Sequence, residues 1–483
     1  MKFTEYFCLN KSQKEIDFVD VNLDRDIPLF IDSFAIQMRN DEWADRAISA
    51  IEWFFELVIK CISDWENEKA KRLLINKDPQ EICLWFSKKW HSWKSVWPTD
   101  SNHLFDSFAN SKAIKSWLLE DLEDSILFVD NIWKDKISDL VWNIIKKFLI
   151  EYTQNQCELY SIPTEERVAI NLFWDDVNLK WWQWYFNLPV CNDKPIILVP
   201  KSIVRLDSVF KYDEYYSKFV LEFLQAQHLN NGSSLVEVLK NGKSRVTKKK
   251  LEEKHPLTKD FLVNFTEKNN EVLLQYKEVK KRNFSYIDDK TINSISDQEE
   301  DLYFFDNLIW ILDNIEKWNW GAGELHDTII NVINSIFIPN IFTSPKKESS
   351  IHSWRKRIDI VYFNNASSGF FYKLQNMIPS WKIIIECKNY EWDPKNPELD
   401  QLSWRFSPTR WQFGLLICRN ISNKNLFNQR CIDTAKDSRW YIMALDDTDI
   451  KALINFKKNW QDNNINNFFE SKWNELFSSI FKI

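Results

Sequence analysis

The sequence predicts an α/β module with a mixed sheet flanked by helices, preceded by a large, mainly α N-terminal region, so that the whole chain is of the α+β class. Two short apolar runs, residues 357–362 and 383–388, are rich in isoleucine and predict neighbouring strands. Segments with apolar residues at helical spacing stand before and after these runs. This alternation predicts a sheet covered by helices.

The chain of 483 residues has room for two or three domains. We predict a mainly helical domain of unknown role at residues 1–212, and a helical, basic connector with a polar linker at 213–296. The α/β module then occupies residues 297–483. Apolar periodicity predicts helices in the first two parts at residues 42–75, 110–128, 133–160, 213–230 and 246–282.

The predicted elements of the C-terminal module alternate along the chain. An amphipathic helix at 324–337 precedes the strand at 357–362, and a loop leads from that strand to the next one, at 383–388. The remaining predicted elements are a helix around Gln401, strands at 413–419 and 441–446, and a helix from Asp449.

Charged residues inside the two apolar runs are the most informative feature of the sequence. An isolated charge is costly inside a sheet unless something binds it, yet Asp359 lies in the first run and Glu386 and Lys388 close the second. Residues two apart in a strand share a face, so Glu386 and Lys388 project together while Cys387 turns into the core. If the runs pair, Asp359 lies beside Glu386 in an oxygen-rich pocket suited to Mg²⁺. Lys388 would then be able to position or deprotonate a water. The alternative is an α/β domain whose edge strands carry solvated charges.

These residues resemble the motif of the PD-(D/E)xK superfamily of restriction-endonuclease-like nucleases, over roughly residues 300–450. The resemblance implies a restriction-endonuclease-like fold, with Mg²⁺, or Mn²⁺ in its place, as cofactor. It also implies that Asp359, Glu386 and the backbone carbonyl of Cys387 bind the metal ion, while Lys388 assists the attacking water. A structural ion pair between Glu386 and Lys388 is the alternative.

A further carboxylate is expected from the helix before the first strand. In the superfamily a helix at this place often adds one to the metal site, and Glu324 is our choice, with Asp327 one turn on as its competitor. The helix dipole also favours acidic residues near a helix N-terminus, which would account for either residue without a metal ion.

Residues around the two strands are candidates for contact with nucleic acid. The resemblance implies that Gln401 supports the lysine or a phosphate, and Arg405, four residues later, would share its helix face and suits phosphate. Arg355 and Arg357 belong to a basic cluster directly before the first acidic residue, where a phosphate backbone would pass. A solvated helix face is the alternative for Gln401 and Arg405.

Bulk properties limit the class of protein. The net charge of −7 argues against a protein that coats polyanions, although local basic patches still allow binding of nucleic acid. The eight cysteines lack metal-ligand spacing and are typical of reduced cytoplasmic thiols. No apolar run is long enough for a transmembrane helix, and the N-terminus lacks the pattern of a signal peptide. We expect a cytoplasmic protein that binds nucleic acid, DNA in preference to RNA. We expect no binding to a membrane, and a homodimer is compatible with these properties.

The function predicted from these features is that of a Mg²⁺-dependent endonuclease hydrolysing phosphodiester bonds. Analogy with the family implies a role in bacterial defence against foreign DNA. One alternative is a catalytically inactive nuclease fold that binds nucleic acid or docks a protein. The presence of Asp359, Glu386 and Lys388 together argues against this alternative. Another is a Trp-rich structural or single-strand-binding protein.

The contents of glycine and tryptophan are abnormal. Gly is 6 and Trp is 25 of the 483 residues, whereas glycine alone is usually about 7% of a protein. Tryptophan also stands where a loop glycine would be ordinary, for example at Trp93, Trp381, Trp404 and Trp411. We hypothesise that many of these Trp are UGA codons, which some bacterial lineages read as glycine. The alternative is a truly Trp-rich protein whose indole rings stack on bases.

Overall fold

The computed structural model describes most of the chain. The described residues are 1–74, 81–84, 98–115, 118–119, 121–132, 134–239, 243–296, 303–351, 356–408, 411–438, 440–478 and 480. Trp93 and Arg355, both singled out above, lie outside these ranges. Within them, no helix combines the length and the apolar character needed to cross a membrane.

Helices and strands alternate irregularly along the chain, and a π-helical segment, Tyr215–Val220, joins two of the helices. The helices are α1 (Phe3–Tyr6), α2 (Ser33–Gln37), α3 (Glu42–Ser63), α4 (Asn67–Leu73), α5 (Pro98–Asn110), α6 (Lys112–Lys115), α7 (Asp124–Phe128), α8 (Lys134–Tyr160), α9 (Tyr212–Glu214), α10 (Leu221–Asn230), α11 (Lys248–Lys254), α12 (Lys259–Thr266), α13 (Asn270–Arg282), α14 (Asp289–Ile295), α15 (Phe304–Asn314), α16 (Ala322–Phe337), α17 (Gly369–Met377), α18 (Asn396–Ser403), α19 (Lys424–Lys436), α20 (Asp447–Lys458) and α21 (Asp462–Phe477). The strands are β1 (Phe30–Ile31), β2 (Glu165–Asp175), β3 (Lys180–Leu188), β4 (Val190–Cys191), β5 (Lys194–Pro195), β6 (Val204–Arg205), β7 (Glu237–Val238), β8 (Ser244–Arg245), β9 (Phe342–Ile351), β10 (Lys356–Asn364), β11 (Lys382–Lys388), β12 (Phe413–Cys418) and β13 (Tyr441–Asp446).

The N-terminal region is mainly helical, as predicted, and α8 confirms the predicted helix at 133–160. The predicted helix at 110–128 is wrong, because α6 and α7 are separate short helices. Between them the side chain of Asp124 accepts the backbone N–H of Asp121, and such a local bond competes with helical hydrogen bonding. The predicted helix at 42–75 is also divided, into α3 and α4. The long hairpin formed by β2 and β3 was not predicted.

Five strands of the C-terminal module form one mixed sheet in the order β13-β12-β11-β10-β9. Strands β11, β12 and β13 are parallel, whereas β10 runs antiparallel to both β11 and β9. Strand β12 and most of β11 are buried, in line with the apolar residues that fill β12 and the Ile383–Ile385 part of β11. Helices α15, α16 and α20 pack on one another, and α17 and α19 both pack on α21. The predicted mixed sheet flanked by helices is therefore confirmed.

Two elements of this module differ from the prediction. Helix α17 lies between β10 and β11, where a loop was expected, and it buries Phe370, Phe371 and Leu374. Strand β9 was not predicted, because most of its residues are polar, although it pairs along β10. Apolar content alone therefore missed a strand that is held mainly by its backbone hydrogen bonds.

Buried apolar residues fall into two clusters. One runs from Phe3 to Ile292, and the other runs from Phe304 to Phe477 and includes Leu159 of α8. Residues 283–296, at the end of the predicted connector and linker, contain α14, whose Ile292 belongs to the first cluster. The three-part division of the chain stays a prediction, and the packing groups its first two parts around one core.

Polar contacts join the two clusters. The guanidinium of Arg39 is buried, and it donates to Asp41 within the N-terminal region and to the hydroxyl of Ser344 in β9, at 2.9 Å. Asp41 also accepts a hydrogen bond of 2.8 Å from the Thr343 hydroxyl. Because buried charges need such partners, this contact fixes the position of β9 relative to the N-terminal region.

The carboxyl of Asp17, close to this contact, gives a prediction for the dependence of stability on pH. Burial raises its pKa to about 6, although Arg39 and Lys201 act in the opposite direction. One of its oxygens accepts from Tyr152, and the other has no hydrogen-bond partner among the described residues. Between about pH 4 and about pH 6 the folded state therefore holds a proton that the unfolded state has released, and stability falls as the pH rises through this window.

Asp17→Asn should remove this component, which is on the order of 2–3 kcal/mol. Urea unfolding of wild type and variant at about pH 4.5 and about pH 7 gives the free energy of unfolding at each pH, and the change between the two pH values is compared for the two proteins. If the free energy of unfolding changes with pH in the variant as it does in wild type, the assignment of the proton to Asp17 is wrong.

Candidate active site

Strands β10 and β11 bring together the two acidic residues predicted to act as a pair. Their antiparallel register pairs Ile360 with Ile385, and one further step places Asp359 opposite Glu386. Side chains opposite each other in such a pair project from the same face, with Cβ atoms about 5 Å apart. The predicted pairing of the two apolar runs is thus confirmed.

Lys388 and Glu386 share one face of β11, as predicted. The Nζ of Lys388 donates to Oε1 of Glu386 at 3.1 Å and to Oε1 of Gln401 at 2.8 Å. Cys387 turns the other way and is buried in the second apolar cluster. Helix α18 therefore positions Gln401 to hold the lysine over the carboxylate, which is the supporting contact expected for this glutamine.

The predicted helix face shared by Gln401 and Arg405 is wrong, because α18 ends at Ser403; Arg405 lies in the turn that follows and is nevertheless directed into the site. One of its terminal nitrogens lies 3.8 Å from Oε2 of Glu386, and its side chain is only 11% exposed. That oxygen of Glu386 is buried and has no hydrogen-bond partner among the described residues. Arg405 thus balances the charge of Glu386, while its predicted contact with phosphate stays a prediction.

Burial dominates the electrostatics of this cluster. It raises the pKa of the Glu386 carboxyl, and the neighbouring charge of Asp359 raises that pKa further, against the influence of Lys388. Burial alone would lower the pKa of the Lys388 ammonium, but the charge of Glu386 and their hydrogen bond outweigh it, so that this pKa is raised. The contact with Glu386 therefore stabilises the charged form of Lys388.

Asp359 is the most accessible of the central residues, with its side chain 22% exposed. Its Oδ2 accepts the backbone N–H of Cys387 at 2.9 Å. In a strand, the N–H and C=O of one residue point to the same edge, so the carbonyl of Cys387 is directed to the side of Asp359. Asp359, Glu386 and the backbone of Cys387 therefore lie next to one another, whereas Glu324 does not join them.

His326 joins the site without having been predicted. Its Nε2 lies 3.4 Å from Oδ2 of Asp359, and its side chain is 19% exposed. It lies in the first two turns of α16, the helix that the sequence placed before the strands. In the sequence, only the position of His326 on a helix before the strands indicated that it could reach the site.

The two acidic residues proposed on α16 have other surroundings. Glu324 is exposed and lies two positions before His326, roughly 200° around the helix axis. Asp327 pairs with Lys347 of β9 at 2.6 Å on an exposed surface. The face of α16 that meets Asp359 is therefore that of His326, and neither carboxylate shares it.

The predicted basic cluster is described only in part. Arg357 lies in β10, two residues before Asp359, and Arg355 is outside the described residues. Their contact with nucleic acid stays a prediction.

The side chains of the candidate site offer the oxygen donors that Mg²⁺ prefers, but only few of them. Among the described residues, no group of three or more His, Cys, Asp or Glu side chains is arranged to hold a metal ion. Mg²⁺ nevertheless keeps several waters and is commonly bound through one or two carboxylates. The buried, unpartnered oxygen of Glu386, with Asp359 opposite, supplies such a pair of hard oxygen donors.

Comparison with known proteins bears on the other end of the chain. A family model described as a domain of unknown function (DUF8370) matches residues 8–211. This match covers less than half of the chain and includes none of the residues of the candidate site. No curated protein and no solved structure matches the chain.

The ion pair between Lys388 and Glu386 gives a prediction for stability. Lys388→Met should lower the free energy of unfolding by about 3 kcal/mol, because it leaves a buried carboxylate without its nearest cation. The double variant Glu386→Gln, Lys388→Met should lose less, since it removes both charges. A double-mutant cycle from denaturant unfolding measures the coupling, and additive effects would show that the two side chains do not stabilise each other.

Proposed function

We propose that the chain is a metal-dependent nuclease that hydrolyses phosphodiester bonds in DNA, with Mg²⁺ as cofactor and Asp359, Glu386 and Lys388 at its centre. The observation that carries this proposal is the pairing of β10 with β11, which sets two carboxylates side by side next to a lysine. Restriction-endonuclease-like folding of residues 297–483 belongs to the same proposal, and bacterial defence is its biological extension by analogy.

Each residue has a distinct task in this proposal. Asp359 and Glu386 hold the metal ion, together with the carbonyl of Cys387. A bound Mg²⁺ would lower the pKa of a coordinated water and offset negative charge on the scissile phosphate.

Lys388 supplies a fixed positive charge beside the attacked phosphate. Its ammonium is held by Glu386 and Gln401, so its position is set before substrate arrives. Such fixed charges stabilise a transition state without reorganisation at the moment of reaction. In this proposal the charged ammonium of Lys388 positions the attacking water and offsets negative charge on the phosphate.

A second candidate is a nuclease fold without catalysis that binds nucleic acid. The burial of Glu386 favours it, because its side chain is 0% exposed and already has Lys388 and Arg405 as ionic partners. A buried carboxylate with two cations near it could serve structure alone. Binding of DNA that never leads to cleavage would identify this function.

The decisive experiment is cleavage of plasmid DNA by the full chain with and without Mg²⁺. We expect cleavage that requires the metal ion and falls by at least about 100-fold in Asp359→Asn and in Glu386→Gln, the size typical for loss of a group that stabilises developing charge. Asp327→Asn is the matched control, because this carboxylate lies on the same helix as His326 but pairs with Lys347.

Unfolding curves of the variants separate loss of activity from loss of fold. If the folded wild type cuts neither DNA nor RNA at any Mg²⁺ concentration, the nuclease proposal is wrong. Cleavage that persists in Glu386→Gln would remove the site assignment but not the activity.

A further inference from the structure

Tryptophan occupies backbone positions that favour glycine. Among the described residues, sixteen residues other than glycine have positive φ, and four of them are Trp65, Trp318, Trp440 and Trp460. No other residue type is as frequent in this set, not even Asn, with three. Since Trp is 25 of 483 residues, composition alone would place about one there. A positive φ in a bulky residue is a true outlier, whereas glycine adopts it without steric cost.

Trp65 and Trp460 occupy the position that glycine most often takes after a helix. Helix α3 ends at Ser63, and Trp65, with φ of 61°, follows two residues later. Its N–H donates to the Ile62 carbonyl at 3.2 Å, and the N–H of Glu66 donates to the Cys61 carbonyl at 2.8 Å. These two bonds define a Schellman motif, in which the residue at the place of Trp65 is usually glycine.

Helix α20 ends in the same way. Trp460, with φ of 57°, donates its N–H to the Lys457 carbonyl at 3.1 Å, and Gln461 donates to the Phe456 carbonyl at 2.9 Å. The same motif follows α10, with Gly232 at this place, and it also follows α1 and α8, with Cys8 and Ser161 there. The two tryptophans thus stand at a position that this chain fills with small residues elsewhere, glycine among them.

The side chains of Trp65 and Trp460 make no buried contacts that would offset the steric cost of a positive φ. Trp65 is 84% exposed and Trp460 is 76% exposed, so neither indole ring is buried in a core. Trp142 and Trp174 differ, because they are 0% and 1% exposed in the first apolar cluster. The structure therefore separates core tryptophans from tryptophans at glycine positions.

We propose that residues 65, 318, 440 and 460 are glycine in the native protein and are written as Trp because UGA codons were read with the standard code. The structure supports this at positions other than those that the sequence suggested, since Trp381, Trp404 and Trp411 are not among the described residues with positive φ. Trp142 and Trp174 are assigned as true tryptophans.

The test is the codon and the peptide mass at each position in the source cells. We expect UGA codons and glycine-containing peptides at 65 and 460, with UGG codons and Trp at 142 and 174. UGG codons, or peptides with Trp, at 65 and 460 would overturn the proposal.

Unfolding of the full chain provides a second measurement. Trp65→Gly and Trp460→Gly should each raise the folding equilibrium constant by about fivefold, because they relieve a left-handed conformation. Trp53→Gly is the control, since Trp53 is also exposed but lies inside α3, where glycine is unfavourable and should lower the constant. If Trp65→Gly and Trp460→Gly are destabilising as well, glycine does not belong there.

A different observation supports a second inference, which rests on the proposed function: we infer that His326 is a positioning residue for Asp359. Nε2 of His326 on α16 lies 3.4 Å from the same carboxylate oxygen that accepts the N–H of Cys387 on β11. Groups that orient a metal-binding carboxylate in this way usually contribute about 10-fold or more to metal affinity.

The placement of α16 depends on the N-terminal region. Asn334 of this helix accepts from the hydroxyl of Tyr362 in β10 at 2.8 Å, and donates to the Glu15 carbonyl at 2.7 Å and to Tyr160 at 3.1 Å. The region matched by DUF8370 thus contributes to the position of the helix that carries His326.

Binding of Mn²⁺ to the full chain, measured by electron paramagnetic resonance, tests this role without turnover. His326→Ala should weaken binding about 10-fold, and His326→Gln, whose amide can still contact Asp359, should restore most of it. Asp327→Asn should bind as wild type does. If wild type binds Mn²⁺ and cuts DNA while His326→Ala binds equally well, this inference alone is wrong; if wild type neither binds nor cuts, the proposed function is wrong and this inference with it.

Discussion

The antiparallel pairing of β10 with β11 is the constraint on which the candidate site depends. A shift of one residue would turn Asp359 to the opposite face from Glu386, because successive side chains in a strand alternate. Burial holds this register: Ile360 and Ile385, which pair with each other, are both 0% exposed. The same apolar packing that makes the strand pair stable thus forces two carboxylates together, and this is unfavourable unless cations or a metal ion compensate. The cluster of Lys388 and Arg405 around Glu386 follows from that requirement.

The two oxygens of the Glu386 carboxylate are not equally compensated by positive charge, and this difference bears on function. Oε1 of Glu386 has the ammonium of Lys388, whereas Oε2 has only a guanidinium nitrogen at 3.8 Å. A purely structural ion pair would be expected to satisfy both oxygens of a carboxylate that is 0% exposed, because an unpartnered buried oxygen is costly. A ligand that completes the shell, such as a hard cation, removes this cost, and for this reason we prefer catalysis to a structural ion pair.

Predictions from the sequence were most reliable for charged residues that lie inside buried strands. The positions of Asp359, Glu386 and Lys388 on their strands, and the support from Gln401, followed from the alternation of side chains and from one family motif. His326 could not be predicted, because its contact depends on the angle at which α16 crosses the sheet, and no local pattern encodes that angle. Strand β9 could not be recognised by apolar content, since polar residues fill most of it. The break between α3 and α4 had a different cause: glycine at position 65 would have signalled the end of a helix, and tryptophan does not.

The proposed glycine at position 318 also affects the candidate site. The backbone of Trp318, with φ of 75°, donates its N–H to the carbonyl of Asn389 at 2.7 Å, and Asn389 follows Lys388 directly. The side chain of Asn389 donates in return to the carbonyl of Trp318 at 2.8 Å. A strained residue at 318 would therefore act on the end of β11, where the lysine is held. With glycine there, the segment could adopt its left-handed turn at no steric cost. It would also lose the indole ring that packs on Trp392, with centroids 4.1 Å apart. Glycine at 318 would thus relieve backbone strain and remove an aromatic contact in the loop that is hydrogen-bonded to Asn389, the residue after Lys388.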